Sequence, residues 1–497
     1  MRRECQRKSL IKVLLSLKSM HRYLALLLFG LRFSYAADAH TEVLQIVDEN
    51  APSFRDTSRQ IWQFAESGFH EDKSSSLLQQ QLKNAGFQVT AGVADMPTAF
   101  VASYGSGKPV IGILGEFDAL PGLSQDAAPE RKVLIANAPG HACGHNLLGA
   151  GGALAAISIK QYLEKNKIPG TVRFFGAPAE EGGSGKVYLV RAGLFKDVDV
   201  VLHWHPSDTN AVMNGGTIAM ISAKFQFHGQ AAHASAAPDR GRSALDGLMI
   251  MDTSVEYLRE HVPSSTRIHY IITKGGVAPN VVPDFAEGFL YARHPSMAEL
   301  NGIFARIVKC AQAGALASET TMEYQIVNSD YDIIPNTPLA ELMHKNLEQV
   351  GPPKYTASEK EFAIKLMHDL PPGSKAQLAS EEKIAPLKEP DMSSASGSSD
   401  VGDISWIVPT IGLTTATWAP GTPAHSWQAV ACSGSSIGQN GMVVAAKVLA
   451  VTAEDLFTNP AVIQEAKEDL KKRLEGQTYH SNIPAGQKPP LDYRKIE

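Results

Sequence analysis

Cysteine is scarce: the 497 residues hold four, Cys5, Cys143, Cys310 and Cys432. Loss of the N-terminal leader described below leaves three, an odd number that argues against a disulfide-stapled scaffold. Cys310, in the apolar pattern IFARIVKCAQAGALA, and Cys432 read as inert buried thiols, whereas Cys143 needs another explanation. A surplus of one charge is also lacking. With a formal net charge of -5, 20% charged and 44% hydrophobic residues, the chain has the balance of neither a nucleic-acid binder nor a disordered protein. Beyond the leader no run is long and apolar enough to span a bilayer, so no stable membrane insertion is expected. A phosphate loop is absent as well, because the stretch APGHACGHNLLGAGGALAA (138–156) has no Lys-Ser or Lys-Thr pair before its helix-like part. Small-molecule chemistry remains.

The first forty residues form a different text. Basic residues (Arg2, Arg3, Arg7, Lys8, Lys18, Arg22) precede the short apolar run YLALLLFGL, and Ser34 and Ala36 are small residues at the minus-three and minus-one positions of a cut after Ala36. This is the pattern of a secretory signal peptide over 1–36, which predicts a secreted or periplasmic protein; the alternatives are an uncleaved amphipathic leader, or a cytoplasmic protein whose true start lies further along the chain. The remaining length suits two domains. From 40 to 215 amphipathic helices alternate with short apolar strands, as in a mostly parallel sheet covered by helices, whose ligands bind beyond the carboxyl ends of the strands. From 217 to 329 the order becomes β-α-β-β-α-β, the ferredoxin-like split unit, read as an inserted second domain. The first domain resumes over 330–460, with a Pro, Ser and Lys-rich insertion at about 370–399 expected to be exposed and little ordered. The Pro-rich tail, 478–497, is expected only to drape the surface.

Four polar clusters follow strands of the first domain. In HACGH, a redox pair would need a second cysteine, but Cys143 and His145 can aim a sulfur and an imidazole nitrogen at one point. In GAPAEEGGSG, the adjacent Glu180 and Glu181 can divide the work beside a metal, one coordinating and one accepting a proton from water. In VVLHWHPSD, strand periodicity points His203 and His205 to one side, roughly 6.5 to 7 Å apart, too far to share one ion. His205, nearer the carboxyl end, is the preferred ligand, with His203 in reserve. His425, in APGTPAHSW, completes a set of Cys143, His145, Glu181, His205 and His425, about the ligand supply two close metal ions require.

Together with GEFDALPG, GQAAHASAAPDRGRSALDG and GGVAPNVVPD, these motifs stand in an order that resembles the metal-dependent aminoacylase and carboxypeptidase-like amidohydrolases. More narrowly, the chain is similar to the branch holding the B-type chain of aminobenzoyl-glutamate hydrolase, with plant auxin-conjugate hydrolases more distant. The resemblance spans about residues 42 to 456. It implies an amide hydrolase with two divalent ions, zinc or manganese, acting on N-acyl or N-aroyl amino acids or small dipeptides. It further implies an inserted lid domain that joins a homodimer or heterodimer. By motif, Cys143, His145, Glu181, His205 and His425 match ligand positions, Glu180 the general base, and Asp118 the carboxylate that orients a ligand. Glu116 stands where other branches have a metal histidine, which puts its role in doubt, and Asn146 stands where auxin-conjugate hydrolases usually have Asp. His233 matches a lid histidine that steadies the oxyanion in the partner's site; Asn280 and Arg293 match lid positions that hold the substrate carboxylate. A rival reading is a non-catalytic subunit that binds acyl amino acids for a hydrolase or an uptake system; the presence of every candidate ligand and both glutamates disfavours it.

Overall fold

The structure is a computed structural model that describes residues 40–494, except 371–373, 375, 376 and 391–396. The expected signal segment, 1–36, and Cys5 therefore lie outside the described residues. The first described helix, 40–64, buries Val43, Val47, Phe54 and Ile61, a spacing that keeps one face on the core. Eleven strands follow: β1 (Gln88–Ala91), β2 (Phe100–Ser106), β3 (Val110–Glu116), β4 (Gly170–Ala177), β5 (Val200–Ser207), β6 (Ala211–Val212), β7 (Ala219–His228), β8 (Arg267–Lys274), β9 (Phe285–His294), β10 (Thr321–Asp330) and β11 (Thr410–Ala416).

Seven of them form one sheet in the order β1-β2-β4-β3-β5-β11-β6. Its centre, β4-β3-β5-β11, is parallel, and β3 (VIGILGE) is buried at every residue, as a strand covered on both faces must be. The sheet is mostly parallel, as expected, and at its edges β1, β2 and β6 pair antiparallel. The helix His145–Asn166 packs directly on β3. Its small residues allow this: a Cβ on Gly149 would lie 2.6 Å from the carbonyl oxygen of Glu116, and one on Gly152 2.6 Å from that of Leu114. This close seating brings the start of the helix over the carboxyl end of β3.

The second sheet, β10-β7-β9-β8, is wholly antiparallel and takes its strands and the helices Ala244–Leu258 and Met297–Ser318 in the β-α-β-β-α-β order. Both helices start on a serine whose side chain accepts a backbone N–H three residues on, from Asp246 to Ser243 and from Glu299 to Ser296. Phe225, Phe227, Leu248 and Leu290 fill the core between sheet and helices. The molecule is thus an α/β protein with a mainly parallel sheet and a second, antiparallel domain.

Residues 377–390 carry no helix or strand and are mostly exposed, but they are pinned in place. The Asn210 amide donates to the carbonyls of Glu381 at 2.7 Å and Lys383 at 3.0 Å, and Asn214 donates to that of Lys388 at 2.9 Å. The tail also departs from a surface drape. Ile483 is buried, Tyr479 donates to Asp403 Oδ1 at 2.7 Å, and Arg191 donates to the carbonyls of Gln487 and Pro484. Among the described residues Cys143, Cys310 and Cys432 are free; Cys432 is buried and Cys310 only half-buried. No helix among the described residues is long and apolar enough to cross a membrane.

Candidate metal centre and catalytic pocket

The chemistry-bearing residues gather beyond the carboxyl ends of β3, β4, β5 and β11, where an open parallel sheet binds its ligands. Cys143 and His145 flank Gly144, whose φ of +75° turns the chain into the helix; a Cβ there would lie 2.8 Å from Pro206. Glu180 and Glu181 follow β4 in a tight turn held by Ala179 (φ 55°), Gly182 (φ 86°) and Ser184 (φ 51°). His425, after β11, also has a positive φ of 58°. Non-glycine residues in this region are held against a local cost, a cost that collects at functional sites.

Ligand-type atoms converge. Those of Cys143, His145 and His205 lie within 4.8 Å of one another, as do those of Cys143, Glu181 and His425, and those of Glu116, His145 and Glu180. Cys143 is common to the first two groups, so one sulfur stands between two potential cation positions. Cys143 Sγ is 3.4 Å from His205 Nε2. His205 Nδ1 donates to the carbonyl of Pro206 at 2.7 Å, which leaves Nε2 as the acceptor nitrogen turned to the cluster. His145 repeats the device, with Nδ1 bonded to Asp118 Oδ1 at 2.7 Å and Nε2 turned inward. Asp118 Oδ2 accepts the backbone N–H of Glu181 at 3.0 Å, so one buried carboxylate orients both the imidazole and the glutamate turn. His203 joins none of these groups and is buried with its ring against Gly412, whereas His205 is in one. The other histidine of HACGH, His141, bonds the carbonyl of Ile61 at 3.0 Å.

Three buried atoms here, Glu116 Oε2, His145 Nε2 and Glu181 Oε1, make no well-aligned hydrogen bond, although Glu116 Oε2 lies 3.2 Å from His145 Nε2 and Glu181 Oε1 3.0 Å from His425 Nε2. Buried polar atoms without aligned partners are costly unless something meets them. A thiolate, imidazoles and a carboxylate are a donor set that suits a borderline divalent cation, so the residues fit a metal centre.

Electrostatics bear the same stamp. Burial pushes the Cys143 thiol up strongly, an obstacle that a cation would remove. Burial would also raise Asp118, but its pairing with His145, by charge and by hydrogen bond, outweighs this and holds the carboxyl at about 2. Glu180 moves the other way: burial, reinforced by Glu116, Glu181 and Asp400, holds it well above the carboxylate range. Glu181 is lowered, because the approach of His425 at 3.0 Å and the charge of His145 overcome its burial. The paired glutamates therefore have opposed environments, as expected where one carboxyl stays ionised and its neighbour handles protons.

Several participants escape a reading of the sequence. Lys186 is wholly buried, 2.7 Å from Glu116 Oε1 and 2.6 Å from Asp400 Oδ1. Glu116, of doubtful role in the sequence, is thus an ion-pair partner as well as a neighbour of His145 Nε2 at 3.2 Å. Lys186 gives no signal beyond being one cation in an apolar stretch. Asn146 donates to the carbonyls of Ser58 and Ser433, a packing role. The tail enters the site too: Tyr493 donates to the Glu181 carbonyl at 2.8 Å, and Arg494 donates to the same oxygen. Both Arg494 and Arg293 line a cavity of about 590 Å³ together with Cys143, Glu180, His205 and His425. His233 and Asn280 do not line it; they are exposed in two adjoining loops of the second domain, the segment after β7 and the turn between β8 and β9, where Ala234 N–H donates to the Asn280 carbonyl at 3.1 Å.

Comparison with known proteins agrees with this picture. The sequence model of peptidase family M20/M25/M40 matches residues 112–426. The B-type chain of the p-aminobenzoyl-glutamate hydrolase of Escherichia coli K12 is 38% identical over 90% of this chain and 99% of its own length. The Xaa-Arg dipeptidase of Mus musculus is 30% identical over 86% of this chain and 91% of its own. Among solved structures, a Bacillus subtilis protein described as a dinuclear metal binding peptidase from the M20 family shares the fold, with a TM-score of 0.57, 15% identity, and coverage of 83% of this chain and 99% of its own. The chain belongs to peptidase family M20/M25/M40 and is a hydrolase of that metal-dependent family.

Proposed function

We propose that the protein is a binuclear metal-dependent amidohydrolase that cleaves the amide of an N-acyl or N-aroyl amino acid, an aminobenzoyl-glutamate-like compound, or a small dipeptide. The observation that carries this reading is the sharing of Cys143 between two ligand groups, with Glu180 beside them. Cys143, His145 and His205 would hold one cation, and Cys143, Glu181 and His425 the other. When bound, such a pair supplies Lewis acidity and lowers the pKa of water toward about 7. The thiolate favours zinc; manganese is the alternative that metal analysis distinguishes.

Glu180 takes the proton of the attacking water and returns it to the leaving amine. Asp118 fixes the tautomer of His145 and, through the Glu181 N–H, the seat of the glutamate turn. Arg293, whose buried Nε has no hydrogen-bond partner, is suited to clamp the substrate carboxylate, and Asn280 would join it from the second copy of a dimer. His233 steadies the oxyanion from across a dimer. The exposure of His233 and Asn280 within one chain is in keeping with a role that needs a second copy or a related chain. The apolar edge strand β8, with Ile271 61% exposed, offers a surface for such pairing. Sedimentation of a fully active monomer would remove the cross-subunit role. If the leader acts as a signal peptide, this assembly works outside the cytoplasm, and the mature N-terminus read by mass spectrometry tests that.

The base assignment has a direct check. Glu180→Ala is expected to keep its metal while hydrolysis falls by roughly 10²- to 10⁴-fold; retained turnover would take the role of base from Glu180.

A further inference from the structure

The described part of the C-terminal segment, up to Arg494, is a strap that crosses from one domain to the other and reaches the catalytic cavity. Gln487 donates to the Ile326 carbonyl of β10 at 2.8 Å, and Asn482 donates to Ser329 Oγ at 3.1 Å, both on the lid side. The strap then seats Tyr493 edge-on against Phe69, ring centroids 5.7 Å apart, with its hydroxyl on the Glu181 carbonyl. Gly68 leaves the room: a Cβ there would lie 2.6 Å from the Tyr493 hydroxyl. This anchoring delivers Arg494 to the cavity wall between the metal-side residue His425 and Tyr291 of the lid, and its charge acts on both.

The acceptor of Arg494 is a neutral carbonyl, so its positive charge is not cancelled by that bond. Arg293 faces the same cavity from β9 with its Nε unsatisfied. Three acids on the same wall have partners other than the two guanidinium groups: Asp330 accepts from Ser184 at 2.5 Å, Glu116 lies 2.7 Å from Lys186, and Glu181 lies 3.0 Å from His425. Two guanidinium groups, brought by different segments, turn toward one space. Each can clamp a carboxylate through a pair of parallel hydrogen bonds.

We propose that Arg494 is a substrate-binding residue that pairs with a second carboxylate, making the site selective for acyl amino acids whose side chain is itself acidic. The proposal rests on the hydrolase reading for the position of the substrate amide and for Arg293 as the clamp of the first carboxylate. It assigns to the tail a specificity that none of the motif residues supplies.

The test compares N-benzoyl-glutamate with N-benzoyl-alanine. Their dissociation constants are measured by calorimetry on the metal-loaded full chain carrying Glu180→Gln, with and without Arg494→Ala or Arg494→Lys, and turnover of both is measured on the native enzyme. The expected result is that the native tail prefers the glutamate compound, that R494A lowers this preference by about tenfold or more, and that R494K restores part of it. Parallel losses for both ligands would make Arg494 a support for Glu181 and overturn the proposal, as would an unchanged ratio or failure of the native tail to distinguish the ligands. Hydrolysis of both compounds with no effect of R494A on selectivity leaves the hydrolase reading standing. A native enzyme that shows the R494A-dependent preference yet hydrolyses neither compound overturns the hydrolase reading instead.

Discussion

At the scale of single residues, Cys143 and His145 are legible in the sequence because two donors of the right chemistry stand two positions apart before a helix. Glu180 and Glu181 are legible because adjacent acids at a strand end are unusual beside small residues. Lys186 is not, since its meaning lies in Asp400, which the fold brings back from 214 positions away. Burial alone would lower the Lys186 ammonium, but Asp400 and Glu116 hold it strongly up, so it stays charged. Such a cation is a support whose loss strands two carboxylates. Lys186→Ala is therefore expected to lower stability by about 3 to 5 kcal/mol and to disturb metal retention through Glu116. Denaturant unfolding that matches the parent within error would show that the buried pairs carry no such weight.

At the scale of elements, the second domain is readable strand by strand, because alternating polarity and serine-capped helices mark its boundaries. Strands β1 and β2 are not, since QVTA is almost wholly exposed and FVASYGS ends in small polar residues, leaving weak periodicity. The helix Ala244–Leu258 carries a hidden liability in Asp252, which is buried among its apolar neighbours. Burial, with Glu256 nearby, raises its carboxyl from 3.8 to about 6. The folded state thus holds a proton that the unfolded chain gives up between those values. Stability from this group is greatest below pH 3.8, falls as pH rises through 6, and stays reduced above it. Asp252→Asn should gain about 1 to 2 kcal/mol at pH 8 and lose that advantage near pH 4. Thermal melts at both values check the sign; an advantage greater at pH 4 than at pH 8 would reverse it.

At the scale of the whole molecule, the parallel centre of the sheet explains why motifs scattered over three hundred residues meet: each follows a strand whose carboxyl end opens on one cleft. The order of those motifs is enough to read the family and its two domains. The tail's course is not legible, because a Pro-rich sequence carries no periodicity, and its partners at Ser329, Arg191 and Glu181 become visible only when the chain has folded. The proposed roles of His233 and Asn280 belong to the same scale, because both residues are exposed in the single chain and the proposal gives them a catalytic setting only in a dimer.

The central claim is that Cys143 is shared by two cations. Elemental analysis of the purified native chain and of Cys143→Ala, with hydrolysis of N-benzoyl-glutamate followed through chelation and readdition of zinc or manganese, tests it most directly. The account predicts about two divalent ions per native chain, far fewer in the variant, and activity that leaves with the metal and returns with it. Unchanged metal content in Cys143→Ala, or full hydrolysis by metal-free protein, would contradict it.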